Sequence, residues 1–172
     1  KIASGYWHVA DSQCGYTVIN KRALKTIAWD KMYRSYGQPN DLLVRLNIHN
    51  FRVKDVPVTP VYDIGEDSGV RPLRMIPRLS WLLGKLFLYR MWQKYVIRDF
   101  HPLVFFYCLA VILLVLCLPL TARIAYFVTV LERSIPPINA LTLVFCAVSG
   151  LQLLLFAMWF DMEYNRHLRG TE

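Results

Sequence analysis

The chain has 172 residues, of which 55% are hydrophobic, and its formal net charge at pH 7 is +8. Its four cysteines and four histidines show no metal-ligand spacing, which argues against a zinc domain and against a disulfide framework. Because the basic residues gather beside long uncharged runs, we expect most of the positive charge to face a membrane surface rather than a nucleic acid.

From the N-terminus to about Gly65 the sequence predicts a mixed α/β region. The segment "GYTVIN" (15–20) is rich in β-forming residues, and "KRALKTIAWDKMY" (21–33) has a helix-forming composition. Asn40 is the predicted N-cap of the helix that follows it. The segment "FRVKDVPVTPVY" (51–62) predicts an edge strand, because its two prolines exclude a central position. Such a region has a marginal core, so we expect the chain to be the C-terminal part of a larger protein.

The next segment, residues 71–100, predicts two amphipathic helices that lie in the membrane interface. Pro77 suits a first helical turn. Two stripes of cations point in different directions, and a break near Gly84 would let both face water. The first stripe is Arg74, Arg78 and Lys85; the second is Arg90, Lys94 and Arg98. The residues expected to enter the headgroup layer are Trp81, Leu82, Phe87, Trp92 and Tyr95. The alternative is one ordinary amphipathic helix on a soluble domain.

Two runs without a charge predict membrane-spanning helices. Residues 102–122 form the first run and residues 135–160 the second. About 20 apolar residues cross the hydrocarbon core as a helix, so each run is long enough. The alternative, a buried core helix, is disfavoured because there are two such runs. A signal peptide is excluded by their distance from the N-terminus.

The distribution of Lys and Arg predicts the orientation of these spans. Residues 71–98 carry seven basic residues and no acid, whereas the connector holds only Arg123 and Arg133 against Glu132. A basic flank is typical of the cytoplasmic side. We therefore expect an integral membrane protein whose soluble part and both termini are cytoplasmic.

Several motifs, in the same order along the chain, resemble family 2 glycosyltransferases that act on polyprenyl phosphates, the relatives of dolichyl-phosphate mannose synthase. They are "SGYWHVADSQCGYTVINKRAL", "NDLLVRL", "RVKDVPV", "GEDSGVR" and "KYVIRDFHPLVFFY". The resemblance implies an α/β partial GT-A domain followed by amphipathic interfacial helices and two transmembrane α-helices. Residues 1–70 would be the C-terminal part of a GT-A-like catalytic domain and residues 71–100 the juxtamembrane helices. Residues 101–172 would be a two-helix transmembrane hairpin with a short cytoplasmic tail.

The resemblance also implies the location of the donor site. In that family a D-x-D motif in the N-terminal half binds the nucleotide sugar and Mg²⁺ or Mn²⁺. This chain contains no D-x-D, so no metal ligand is expected in it. Asp11 and Gln13 match the family's loop carboxylate and its neighbour, and the resemblance implies that they are catalytic residues beside the sugar. A phosphate acceptor is already anionic and nucleophilic, so Asp11 would position the sugar rather than act as an obligatory base.

The acceptor phosphate is assigned by the resemblance to the segment "YDIGEDSGVRPLR" (62–74). Its candidate ligands are Ser68, Arg71 and Arg74, which offer a hydroxyl group and two cations. The match is incomplete, because Tyr62 stands where the family has Arg and Gly69 where it has Lys. The alternative for the two arginines is attraction to anionic lipid.

These features predict the acceptor-side half of an inverting glycosyltransferase that moves a sugar from a nucleotide-sugar to a polyprenyl phosphate in a cell-envelope glycan pathway. The expected partners are the polyprenyl phosphate, the nucleotide-sugar donor and anionic membrane lipids, with no nucleic acid; a homo-oligomer is left open. The alternative is a non-enzymatic two-span module that anchors or scaffolds a partner. A polysaccharide synthase is disfavoured, because no Q-x-x-R-W motif is present.

Overall fold

The structure, a computed structural model, describes residues 1–57, 72–131 and 134–170, and it gives the backbone but not the side chains of residues 72–74. It divides into two compact units. The first unit contains Lys1–Asp99 and Tyr164–Glu172, and the hairpin unit contains Phe100–Glu163. The predicted juxtamembrane segment therefore belongs to the same unit as the N-terminal region.

The described residues of the first unit form three α-helices and the turns between them. The helices are α1 (Lys21–Thr26), α2 (Gln38–Ile48) and α3 (Pro72–Trp92). Asn20 caps α1, since its Oδ1 accepts a hydrogen bond from the N–H of Ala23 at 2.8 Å. A π-helical turn, Gln93–Arg98, continues α3, and 3₁₀ turns lie at Trp29–Lys31 and Arg166–Leu168.

The predicted α/β partial GT-A domain is wrong for the described residues, which form helices and contain no β-strand. Residues 15–20 make no ladder with another segment, and residues 51–57 contribute one parallel bridge, between Val53 and Arg169. The rest of the second predicted strand, residues 58–62, lies outside the described ranges. The prediction failed because β-propensity reports mainly how a side chain fits a neighbouring strand, and the described residues supply no such neighbour.

Helix α2 begins earlier than predicted. Gly37 precedes it and Pro39 occupies its first turn, where the missing N–H of proline costs nothing. Asn40 is therefore a buried residue inside the helix and not its N-cap. Asp41 holds this turn in place, since its two carboxylate oxygens accept hydrogen bonds from the N–H of Tyr33 and from Nε of Arg45, each at 2.8 Å.

Helix α3 runs through Gly84 without the predicted break, and Pro77 lies inside it rather than in its first turn. The break was predicted so that both cationic stripes could face water. Arg90 and Lys94 of the second stripe are fully buried. Because they do not face water, one continuous helix can carry both stripes. Tyr95, expected in the headgroup layer, is buried as well.

One apolar core joins the N-terminal segment, α1, α2 and the C-terminal tail. Its buried members are Tyr6, Val9, Ala23, Ile27, Leu46 and Leu168. A second cluster fixes α2 on α3, and it contains Val44, Ile48 and Leu86 with Leu82 beside them. The tail is further held by two hydrogen bonds of Val53, whose N–H donates to Leu168 O at 3.0 Å and whose C=O accepts from the N–H of Gly170 at 2.9 Å.

The hairpin unit contains α4 (Leu103–Thr129) and α5 (Pro137–Tyr164) up to Glu163, and confirms both predicted apolar helices. Both are long and apolar enough to cross a membrane, and only 11% and 17% of their most apolar stretches are buried. The rings of Phe106 and Phe160 lie 5.4 Å apart, and a Cβ on Gly150 would lie 3.0 Å from Cγ of Leu114. The helices are therefore antiparallel, and Gly150 permits their close approach. This unit is compatible with a membrane protein.

Because α3 is continuous, Gly84→Ala is expected to stabilise the chain. A Cβ at Gly84 meets no atom within 4 Å, so only the helix-propensity gain of about 0.5–1 kcal/mol remains. Gly37→Ala is the matched control, because its Cβ would collide with the side chain of Leu82. Thermal unfolding in neutral detergent should show a higher midpoint for the first variant and a lower midpoint for the second. A lower midpoint for Gly84→Ala would contradict the continuous helix and favour the predicted break near Gly84.

Candidate functional site

Arg90 anchors the N-terminal segment to the inward face of α3. Its side chain is fully buried, and the guanidinium donates to Ala3 O at 3.0 Å and to Ile2 O at 2.9 Å. It also lies 5.7 Å from the centroid of the Tyr95 ring, a favourable cation–π distance. Gly5 passes directly beside it with φ +74°, and a Cβ there would collide with the guanidinium. Only glycine fits this backbone conformation and this space without strain.

Lys94, one turn further along, joins α2 and the C-terminal tail. Its ammonium group is buried and donates to Asn47 O at 3.0 Å, to Asn47 Oδ1 at 2.9 Å and to Asn165 Oδ1 at 2.7 Å. The amide of Asn165 in turn donates to the hydroxyl of Tyr95 at 2.7 Å. Three hydrogen bonds use all three N–H groups of the ammonium, which is how a buried charge is tolerated.

Sequence reasoning missed this network, because it treated Arg90 and Lys94 as surface cations. One signal was present. Leu86, Arg90 and Lys94 follow one another at four-residue intervals, the spacing of a single helix face. The two cations therefore continue the apolar stripe that begins at Leu82, which is the side that α2 covers. Their partners could not be inferred, since Asn47 and Asn165 are far away in sequence.

Arg98 completes the junction between α3 and α2. It donates to Ile48 O at 3.1 Å, so it caps the carbonyl end of α2. Its other terminal nitrogen lies 3.1 Å from Nε2 of His49. Because a guanidinium can only donate, Nε2 accepts and the imidazole is neutral. Burial, and secondly the charge of Arg98, lower the pKa of His49, which keeps this arrangement intact near neutral pH.

The loop that carries the predicted catalytic residues is exposed, and its turn is closed by Asp11 itself. Oδ1 of Asp11 accepts a hydrogen bond from the N–H of Gln13 at 2.8 Å. The N–H of Ala10 donates to Oδ2 of Asp55 at 2.7 Å, and His8 Nε2 lies 2.9 Å from Val53 O. The motifs "HVAD" and "RVKD" are thus brought together, although 45 residues separate the bonded pairs.

The structure describes the side chain of none of the three predicted phosphate ligands. Ser68 and Arg71 lie outside the described residues, and only the backbone of Arg74 is described, within α3. Asp11 and Gln13 are close neighbours in the loop, where the N–H of Gln13 donates to Asp11.

The outward face of α3 is apolar and aromatic. Trp81 is 70% exposed, and Leu88 and Trp92 are also exposed on this face. Lys85 extends beside them with its ammonium 5.7 Å from the Trp81 ring centroid. Exposed tryptophans beside a cation are typical of a helix that lies in the headgroup region.

The described residues do not fit the divalent metal that the resemblance implies. Within residues 1–57, 72–131 and 134–170, no group of three His, Cys, Asp or Glu side chains could hold a metal ion. No step of the chemistry is therefore assigned to a metal held by these residues.

Comparison with known proteins adds no relative. No protein-family model, no curated protein sequence and no solved structure matches the chain. The resemblance to family 2 glycosyltransferases therefore stays a prediction that depends on the motifs in this sequence.

Removal of the Lys94 ammonium is expected to destabilise the first unit. Lys94→Met should lower the free energy of unfolding by about 2–4 kcal/mol, because a hydrogen bond to a charged group contributes about 1.5–3 kcal/mol and the amide oxygens stay buried. Lys85→Met, on the exposed face, should change it by less than about 0.5 kcal/mol. Both variants are compared with the parent protein by thermal unfolding in neutral detergent and by protease cleavage after Tyr164. Equal midpoints for both variants would contradict a structural role for Lys94.

Proposed function

We propose that the chain is the acceptor-side part of a membrane-bound glycosyltransferase, which moves a sugar from a nucleotide-sugar to a polyprenyl phosphate at the cytoplasmic face. The observation that carries this proposal is the pairing of the "HVAD" and "RVKD" motifs. Both belong to the resemblance, and the hydrogen bonds of His8 with Val53 and of Ala10 with Asp55 hold them side by side. Motifs of one functional site have to meet in space, and these two do.

In this proposal Asp11 orients the donor sugar. One of its carboxylate oxygens closes the turn onto Gln13, and the loop is exposed, so the other oxygen can accept hydrogen bonds from sugar hydroxyl groups. The acceptor phosphate brings its own nucleophilic oxygen. Arg71 immediately precedes α3 and Arg74 lies in its first turn, where the positive end of the helix favours an anion.

The same proposal places α3 in the membrane interface. Its buried face is occupied by α2, so the exposed stripe of Trp81, Leu88 and Trp92 is available for the headgroup layer. The chain then enters α4 within a few residues of the end of the π-helical turn. A phosphate acceptor with an isoprenoid tail lies at this depth, which is where a transferase has to meet it.

A non-enzymatic anchoring module is the second candidate. It is favoured by two observations: the sequence has no D-x-D motif, and the described residues form no sheet. The two candidates differ in whether side chains of the Asp11 loop affect turnover.

The transfer test compares Asp11→Asn with Asp55→Asn in the full-length protein, in membranes supplied with nucleotide-sugar and polyprenyl phosphate. Asparagine can accept the same hydrogen bond from the N–H of Gln13, so the turn should survive. Turnover should fall at least about tenfold for Asp11→Asn, or about 1.4 kcal/mol of activation free energy, and little for Asp55→Asn. If neither variant changes the rate of sugar transfer, or if the parent protein shows no sugar transfer, the anchoring module is the better description.

The acceptor site is tested by Arg71→Gln and Arg74→Gln in the same assay, with neutral detergent in place of anionic lipid. Bidentate contacts to a phosphate should be lost, which raises the acceptor KM or lowers kcat/KM. Arg78→Gln and Lys85→Gln are the matched controls, because both side chains are exposed on α3. Arg90 and Lys94 are unsuitable as controls, since they are buried. Equal effects from both pairs would leave this segment as a lipid anchor.

The proposed topology follows from the basic flank and from the junction of the two spans. Within the hairpin unit α4 and α5 are antiparallel, so the start of α4 and the end of α5 lie at the same end of that unit. In a chain without its native cysteines, Ser134→Cys should react with an impermeant maleimide added to intact cells. Thr171→Cys should react only after permeabilisation. Labelling of Thr171→Cys in intact cells would overturn the assignment.

A further inference from the structure

We propose that an open pocket between the 3₁₀ turn at Trp29–Lys31, α2 and α3 binds the headgroup of a phosphatidylethanolamine lipid. The pocket has a volume of about 510 Å³, and all its lining residues belong to the first unit. Met32, Leu82 and Leu86, which are buried or half-buried, form the apolar part of the lining. Ligand pockets usually measure about 300–1,000 Å³ and combine apolar walls with a few polar groups, which describes this lining.

Two of the five charged lining residues are already paired with each other. Both carboxylate oxygens of Asp41 accept hydrogen bonds, one from the N–H of Tyr33 and one from Nε of Arg45. Arg45 also donates to Lys31 O at 2.6 Å, and its guanidinium carbon lies 5.9 Å from the centroid of the Tyr89 ring. This pair joins the 3₁₀ turn to α2 and α3, and it adds no net charge to the pocket.

The other three charged lining residues are available to a ligand. They are Asp30, Lys31 and Lys85, which are all exposed, and none of them forms an ion pair with another described residue. A phosphodiester carries one negative charge, and an ammonium group carries one positive charge. Two cations and one carboxylate are the complement of a headgroup that contains both groups, because each charge then receives a charge-assisted hydrogen bond.

The lining favours a primary ammonium over the other common headgroups. Its N–H groups can donate to the carboxylate of Asp30, whereas choline has no N–H and glycerol has no positive charge. Choline is usually bound by a cage of aromatic rings. Among the described residues that line the pocket, only Tyr33 and Tyr89 are aromatic, and the Tyr89 ring is already beside the guanidinium of Arg45.

The position of the pocket on α3 points to a lipid as the source of this headgroup. At about 100° per residue, Lys85 and Tyr89 lie beside the exposed stripe of Trp81, Leu88 and Trp92. The ammonium group of Lys85 is 5.7 Å from the centroid of the Trp81 ring, so the pocket and the stripe are continuous. Acyl chains can therefore lie along the stripe while the headgroup enters the pocket. Binding of this lipid rests on the interfacial position of α3 in the proposed function, and not on sugar transfer.

The lipid preference is measured by native mass spectrometry of the full-length protein in a polyoxyethylene detergent. Three lipids with the same dioleoyl chains are titrated: phosphatidylethanolamine, phosphatidylcholine and phosphatidylglycerol. The protein should bind the first at least about tenfold more tightly than the other two. Soluble glycerophosphoethanolamine, which has no acyl chains, should bind at least about tenfold more weakly than the lipid. Equal affinity for the three lipids would overturn the inference, and so would equal affinity for the soluble headgroup.

Substitutions assign each charge to one part of the headgroup. Lys31→Gln and Lys85→Gln should each weaken the binding of phosphatidylethanolamine and of phosphatidylglycerol about tenfold, because each removes a contact with the phosphate. Asp30→Asn should weaken phosphatidylethanolamine binding about tenfold and strengthen phosphatidylglycerol binding, whereas Asp30→Glu should keep the original preference. Arg78→Gln is the matched control, because Arg78 is exposed on α3 and does not line the pocket.

All four substituted side chains are exposed, so the midpoints of thermal unfolding should match that of the parent protein and any loss reports binding. An unchanged lipid preference in Asp30→Asn would overturn the inference. The same applies if Arg78→Gln weakens binding as much as the two lysine variants, since the cations would then attract any lipid phosphate. Phosphatidylethanolamine binding without sugar transfer would refute only the proposed function, whereas sugar transfer without this lipid preference would refute only the lipid site.

Discussion

The buried pair Arg90 and Lys94 is the interaction on which the first unit depends. Two cations one turn apart on α3 reach the N-terminal segment, the end of α2 and the C-terminal tail. Each has lost its water, and the carbonyl and amide oxygens around them replace it. Desolvating a charge is costly unless such hydrogen bonds are made, so these segments are held at fixed distances from α3. An apolar contact would leave their spacing much less defined.

The same network includes the residues that follow the hairpin unit. Tyr164 and Asn165, which belong to the first unit, donate hydrogen bonds to Asp99 and Tyr95. The burial of Lys94 and Tyr95 also determines which side of α3 remains outward, and that side carries Trp81, Leu88 and Trp92. One network therefore sets both the position of the tail and the face of α3 that stays exposed.

The proposed function depends on the motifs of the resemblance, and the fold brings two of them together. The Asp11 loop is tied to residues 53–55, as one site would require, while the α/β fold that the resemblance implied is not found in the described residues. The described part of the first unit is built from loops and helices. In the proposed function, its exposed Asp11 loop would present a carboxylate to a sugar.

The sequence by itself determined the two apolar helices, because a run of about 20 consecutive apolar residues is recognised from its length and composition without any tertiary contact. It also indicated α1, α2 and the amphipathic character of α3, which depend on local composition and period. It misassigned residues 15–20 and 51–57 as strands, and its only sign that Arg90 and Lys94 are buried was their four-residue spacing after Leu86. Both depend on contacts with distant segments: a strand needs a partner, and a lysine is buried only where Asn47 and Asn165 converge on it. Tertiary structure alone decided these points.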